Sequence, residues 1–362
     1  MSVFLGEKLK IEIYGGSHEK EIGVVISGIP GGTVLDLDKL SAFMSRRAPG
    51  RDEYSTPRKE SDAIEFLSGV SKDGKCVGGD IHAVIRSNNT RSGDYSAFSD
   101  TPRPSHADYV ASVKYKGKVN MAGGGPFSGR MTAPLCIAGG ICLQLLERIG
   151  ISIGAHLYSV ADIKDSPFES VHLSSDELCS PAKKAFPVID DTAGEKMKTR
   201  ILDAKSAGDS VGAIVECAAV GLPAGIGGPL FEGIESRISA IAFAVPAVKG
   251  VEFGSGFSSA EMTGSDHNDP FCIEDGKVRT KTNNSGGIQG GITNGMPLIF
   301  RAALKPTPSI RTEQETVSLS KMCQEKLSIG GRHDPCVGVR AVPVIEAVAA
   351  IALFDAIQDN ER

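Results

Sequence analysis

The 362-residue chain has no surplus of basic residues: Lys plus Arg number 39 against 44 Asp plus Glu, a formal net charge of −5. A general nucleic-acid binder would carry the opposite balance, so that class is disfavoured. The chain opens MSVFLGEKLK, without a charged segment leading into an apolar run. It also lacks an uncharged apolar stretch of about 18 residues. Neither a signal peptide nor a membrane span is therefore expected. The eight cysteines, at 76, 136, 142, 179, 217, 272, 323 and 336, form no Cys-x-x-Cys pair. Several lie in apolar runs, as Cys217 does in AIVECAAV. Buried free thiols in a reducing cytoplasm are the expectation, and no metal site. Glycine-rich turns match neither a P-loop nor a dinucleotide-binding fingerprint. No Pro/Ser-rich linker divides the chain, so residues 1–362 read as a single domain.

Glycine is abundant, at 43 residues, about 12% against a usual ~7%. It is spread through apolar segments, which implies tight turns and close backbone approaches. Strands are expected at 9–14, 22–27, 80–86, 211–220 and 297–305. Helices are expected at 36–47, 133–149, 194–206, 228–244 and 343–357, the last two with Pro in their opening positions. APLCIAGGICLQLLERI (133–149) is apolar almost all round, so it should be covered on most sides. A helical layer between sheets would do this. The polar stretch 158–195 reads as a surface excursion. SHEKEIGVVISGIPGG (17–32) echoes DSVGAIVECAAVGLPAG (209–225). The echo leaves two alternatives, a pseudo-symmetric fold or a chance likeness of Gly-rich strands.

Six stretches concentrate chemistry. Gly15-Gly16-Ser17-His18 puts a His on a turn after a strand, either as an acid–base group or as an ordinary loop His. Arg46-Arg47-Ala48-Pro49-Gly50-Arg51, with Arg58 and Lys59 beyond, either complements a helix C-terminus or binds an anionic small molecule. In Arg103-Pro104-Ser105-His106-Ala107-Asp108, a helix starting near Ser105 would place His106 in its first turn. There it would need an anion to stay protonated. The run Ala122–Arg130 before the apolar helix can present N–H groups to an anion or allow close packing. Asn284–Ile292, followed by Lys305-Pro306-Thr307-Pro308-Ser309, is a candidate phosphate cradle. In Gly331-Arg332-His333-Asp334-Pro335-Cys336, a buried polar network is expected and Cys336 reads as a packed thiol.

At these stretches the sequence resembles chorismate synthases, from about Gly6 to Asp355. The most specific pieces are RPSHADY (family RPGHADY), SGGIQGGI, the KPT at 305–307 and GRHDPCVGVRAVP. The resemblance implies an α+β fold, with a helical layer sandwiched between antiparallel β-sheets, usually as a homotetramer. It implies loss of phosphate from 5-enolpyruvylshikimate 3-phosphate to give chorismate, with reduced FMN and no net redox change. It marks His18, His106, Ser17 and Asp334 as catalytic. It marks Ser128, Ala247, Gly290, Lys305, Pro306, Thr307, Pro308, Ser309 and Arg332 as flavin-binding, and Arg46, Arg47 and Arg130 as substrate-binding. Arg51 joins the last group as a substitute for a family basic residue that is Glu53 here. Family Arg positions are also lost at Ala48, Ala122 and Pro126, and family Glu positions at Gly16 and Met131. Each lost Arg could remove a contact worth ~1.5–3 kcal/mol. Loss of an Arg together with its Glu can be close to neutral. Two other readings stay open, an inactive anion-binding homologue and an FMN oxidoreductase. Glu53 stands where the family has a basic residue linked with NADP, so an external flavin reductase is expected.

Overall fold

The structure is a computed structural model and describes residues 2–50, 53–56, 60–87, 98–330 and 333–360. Arg51, Arg58 and Arg332 lie outside the described residues. In chain order the strands are β1 (Ser2–Leu5), β2 (Lys10–Gly15), β3 (Glu21–Ser27), β4 (Glu65–Ser68), β5 (Ile81–Arg86), β6 (Ser152–Val160), β7 (Ile163–Lys164), β8 (Ala213–Val220) and β9 (Val248–Phe253). They continue with β10 (Phe271–Glu274), β11 (Lys277–Thr280), β12 (Ile288–Gln289), β13 (Ile292–Thr293), β14 (Leu298–Leu304), β15 (Gln314–Ser318) and β16 (Cys323–Leu327). The helices are α1 (Leu37–Arg47), α2 (Asp108–Tyr115), α3 (Thr132–Arg148), α4 (Ser175–Cys179), α5 (Asp191–Ser206), α6 (Ile234–Ala242), α7 (Gly264–His267) and α8 (Gly338–Asn360).

Two five-stranded antiparallel sheets, ordered β1-β2-β3-β5-β4 and β7-β6-β8-β14-β9, enclose a layer of helices. Helix α3 packs on the first sheet, α8 on the second, and the two pack on each other. By length and composition both would pass for membrane spans, but they are mostly buried inside the protein. Strand alternation shows which faces turn inward. Val215, Cys217 and Ala219 of β8, with Leu298, Phe300 and Ala302 of β14, join the main core. Ala218 and Ile299 point the other way, into a satellite cluster with Phe168, Leu173 and Leu178. The polar stretch 158–195 is therefore a cover over the second sheet, not a surface excursion. Its few apolar residues are the ones that find that sheet's outer face.

The internal echo is structural. With the intervening elements left aside, the order β2-β3-α1-β4-β5-α3 recurs as β6-β8-α6-β9-β14-α8, and β3 and β8 are each the central strand of their sheet. Gly28, just past β3, has φ +96°, and a Cβ there would lie 2.2 Å from the Lys8 carbonyl oxygen. Gly221, just past β8, has φ +84° and the same 2.2 Å clearance from the Gly150 carbonyl oxygen. Two residues beyond each of those carbonyls, the partner strand β2 or β6 begins.

The starts of α6 and α8 differ most from expectation. Pro229 precedes a short 3₁₀ turn, and α6 begins only at Ile234. Helix α8 begins at Gly338, so Pro343 lies inside it. Pro fits a helix opening but does not require one.

Candidate active site

A cavity of about 1260 Å³ opens where both core helices begin. Its wall includes Arg130 and Thr132 at the start of α3, and Val337 and Arg340 at the start of α8. Helix N-termini carry partial positive charge and unpaired N–H groups. The volume exceeds the ~300–1,000 Å³ usual for one ligand.

The glycine run before α3 seats two histidines. Gly123, Gly124 and Gly125 all have positive φ. A Cβ on Gly123 would sit 2.3 Å from the His18 ring and 2.9 Å from Ser17 Oγ. A Cβ on Gly124 would sit 3.3 Å from His106 Nε2. These glycines therefore let the β2–β3 turn and the 103–106 turn close on one loop. Ser17 is buried, and its backbone N–H donates to the Gly125 carbonyl at 3.2 Å.

Helix α2 starts at Asp108, so His106 precedes it instead of lying in its first turn. The anion that the sequence called for is Asp108 itself, with Oδ1 2.8 Å from His106 Nδ1. Arg103 holds the same carboxylate at 2.7 and 2.8 Å, and its Nη1 donates to Ser309 Oγ at 3.2 Å. Burial works against the Asp108 charge, but the hydrogen bonds and charges of Arg103 and His106 outweigh it and hold the carboxyl well below its usual range.

Arg47, Arg130, Arg340 and Lys305 of the wall also have acidic or carbonyl partners. Arg47, 2% exposed, pairs with Asp62 and donates to Thr132 Oγ1 at 3.2 Å. Arg130 pairs with Glu60 and reaches Ser87 Oγ at 3.3 Å. Arg340 donates to Asp334 at 2.7 Å and to the Arg47 carbonyl at 3.0 Å. Lys305 donates to the Ser105 carbonyl. Burial, with Lys249 nearby, pushes its ammonium below the usual value. Asp334 accepts the Thr56 N–H at 2.8 Å as well as the Arg340 bond. Among the described residues no hydrogen bond joins it to Ser17. His333 also lines the cavity. Burial, reinforced by the charges of Arg103 and His106, pushes its ring down to about 4, so it is neutral at pH 7.

Of the expected flavin positions, Ser128, Ala247, Lys305, Thr307, Pro308 and Ser309 are in the wall, while Gly290 and Pro306 are not. Thr307 Oγ1 is buried without a hydrogen-bond partner among the described residues. Arg46 does not reach the cavity. It forms a two-bond pair with Glu346 of α8, at 2.6 and 2.7 Å, where Glu346 also accepts the Ala155 N–H. Its position on the last turn of α1 faces the helical layer and not the site. Among the positions where the family Arg is missing, only Pro126 lies in the described wall, and Met131 joins it from the missing Glu positions. Ala48 is buried elsewhere. The sequence reading passed over Asp108, Asp62, Glu60 and Arg340. The one signal available was the His106–Asp108 spacing inside a stretch already singled out.

The sequence profile described as chorismate synthase matches residues 9–358. The chain belongs to the chorismate synthase family. It is 44% identical over 365 residues to a chorismate synthase of Lancefieldella parvula, covering 98% of this chain and 96% of that one. It is 43% identical over 350 residues to a chorismate synthase of Thermococcus kodakarensis, covering 97% and 96%. A crystal structure of chorismate synthase superimposes with a TM-score of 0.75 at 26% identity, over 98% of this chain and 93% of that chain. The activity of the chorismate synthase family is the lyase reaction of the shikimate pathway. It converts 5-enolpyruvylshikimate 3-phosphate to chorismate and phosphate, and this chain is an enzyme of that kind. The family uses reduced flavin.

Proposed function

We propose that the cavity holds reduced FMN and 5-enolpyruvylshikimate 3-phosphate together, and that its histidines manage the protons of the elimination. The observation that carries this reading is the convergence of two helix N-termini, four arginines and His106 on one cavity of about 1260 Å³, with His18 outside its wall but against the same glycine loop. Lys305, Thr307, Ser309, Ala247 and Ser128 would hold the flavin. The buried, unpartnered Thr307 hydroxyl fits a ligand atom in that position. When bound, reduced flavin supplies electron density for breaking the C–O bond and recovers it afterwards.

The chain's own residues do the rest. Arg47 and Arg130 face the substrate anions from α1 and the start of α3. Their carboxylate partners, Asp62 and Glu60, fix the guanidinium planes and limit the net charge of the wall. His18 donates a hydrogen bond to the departing phosphate, beside Ser17. His106 turns Nε2 toward the cavity and stabilises negative charge there. Asp334 anchors Arg340 in this reading, since both its oxygens are engaged. The chain acts as one domain, as a homotetramer in the cytoplasm, and receives reduced flavin from a separate reductase. Support for these last points comes from the family resemblance and from Glu53.

Titration with oxidised FMN, followed by flavin fluorescence, tests the placement. Thr307→Val and Lys305→Ala should each weaken binding about tenfold, as a lost hydrogen bond of ~1–1.5 kcal/mol would. Arg46→Met should leave FMN affinity unchanged. Native affinity in both wall variants would contradict the placement.

A further inference from the structure

Two groups compete for one atom of His106. Its Nδ1 lies 2.8 Å from Asp108 Oδ1 and 3.1 Å from Arg103 Nη2. A ring with its proton only on Nε2 would accept from Arg103 at Nδ1 and face the Asp108 lone pairs unfavourably. A ring protonated at Nδ1 donates to Asp108, at the shorter of the two distances. The remaining nitrogen, Nε2, faces Gly124 and the cavity. A doubly protonated ring donates in both directions, to Asp108 and to an anion in the cavity.

We propose that Asp108 is the positioning residue that holds His106 as a cavity-facing proton donor, and that Arg103 is its counterweight. The proposal rests on reading this cavity as the reaction site and goes beyond it, because neither Asp108 nor Arg103 need touch a ligand. Arg103 has two effects of opposite sign on His106. It orients the Asp108 carboxylate with three bonds, from its backbone N–H at 3.1 Å and from Nε and Nη2. It also places a positive charge beside the ring and draws off part of the Asp108 charge. The side chains of Asp108 and Arg103 are only 4% and 3% exposed, so solvent does little to screen either effect. Among the described residues, the charged or titratable groups nearby include His333, neutral in the same wall, His18 on the adjacent Gly123, Asp334 with its Arg340 bond, and Lys305 on the Ser105 carbonyl. Because Arg103 also bonds Ser309, the dyad is tied to the Lys305–Ser309 segment.

The test uses the full-length, ligand-free protein, with ring NMR of its histidines and His106→Asn to assign the signal. In Asp108→Asn the protonated-to-neutral transition of the His106 ring should move to lower pH by about one unit, a tenfold change in protonation. In Arg103→Gln it should move to higher pH, since the repulsion goes and Asp108 keeps its full charge. A merely structural pair would shift both variants the same way, because each variant breaks the same Arg103–Asp108 contact. Under anaerobic turnover with reduced flavin, Asp108→Asn should lower kcat 10–100-fold and move the alkaline limb of its pH profile to lower pH. Either an unmoved ring transition in Asp108→Asn or shifts of one sign in both variants overturns the proposal. If Asp108→Asn does not fold, the direction seen in Arg103→Gln decides alone. A His106→Asn enzyme with native kcat would instead refute the reading of the cavity and leave the dyad to the NMR result.

Discussion

Ser105 has φ +58°, a backbone conformation that favours glycine. A non-Gly residue in the left-handed region costs roughly 1–2 kcal/mol, and Gly gives back part of that through its freer unfolded chain. Ser105→Gly should therefore raise stability by about 0.5–1 kcal/mol, read as an upward shift of the urea midpoint at unchanged slope. Its carbonyl still receives the Lys305 bond, so activity should be retained; a lower midpoint would mean that the hydroxyl does something the structure does not show. At this scale the sequence was legible where a motif names a residue type that is rare in loops: both site histidines stood out. Their partners did not. Asp108 looked like an ordinary helix-opening acid, and Asp62 and Glu60 lie in a stretch with no motif at all. Arg46 shows the opposite error. In sequence it is the twin of Arg47, but one helical step of about 100° turns it from the cavity to Glu346.

Helix α3 meets its neighbours through two adjacent glycines. A Cβ on Gly139 would lie 2.2 Å from the Ala347 Cβ and 2.4 Å from its Cα, and one on Gly140 would lie 2.5 Å from the Leu40 Cδ1. Helix propensity alone would make Gly139→Ala stabilising by ~1 kcal/mol. The contact with the α8 backbone cannot yield in that way, and overpacking of a core costs typically 1–3 kcal/mol. Gly139→Ala should therefore destabilise the protein, and Gly139→Val more so, by denaturant unfolding; a stabilised Gly139→Ala would show that α3 and α8 are further apart than described. Elements with strong periodicity or continuous apolar character were legible, including α1, α3, β3, β8 and β14. The edge strands β1 and β4 were not, because they are mostly exposed and carry too few residues for a pattern; β9 was missed as well. Strand β6 was missed because SIGAHLYSV hides a buried His at its centre. That His is tolerated inside a sheet only because distant carboxylates meet it.

Those carboxylates give the whole molecule a pH signature apart from the active site. His156 is fully buried, with Nδ1 2.9 Å from Asp165 and Nε2 2.9 Å from Glu216, which in turn accepts from Arg301 at 2.8 Å. Burial opposes its charge, but the bonds and charges of Asp165 and Glu216 prevail and raise its pKa above 6.5. A raised histidine adds stability that is complete below the unfolded value and is lost as pH rises through the folded one. Asp165 is lowered, with burial outweighed by His156 and by the Asp190 and Ile189 N–H groups, so its share is lost as pH falls. His156→Gln should cost about 3–5 kcal/mol, as when one partner of a buried pair is removed. It should also abolish the decline in stability that the raised His156 predicts for the wild type as pH rises above 6.5; an unchanged decline would place its origin elsewhere. The layered fold was expected from one all-apolar helix and a family likeness; the Gly-Pro echo left a repeat and a chance likeness equally open, and the two tight glycine turns are its physical basis. The central claim concerns the chemistry of the cavity those layers build, and one anaerobic assay addresses it. Purified protein, 5-enolpyruvylshikimate 3-phosphate and chemically reduced FMN are mixed, and chorismate and flavin oxidation are followed together. Many chorismate molecules should form for each FMN while the flavin stays reduced; no chorismate, or one flavin oxidised per product, would contradict the account.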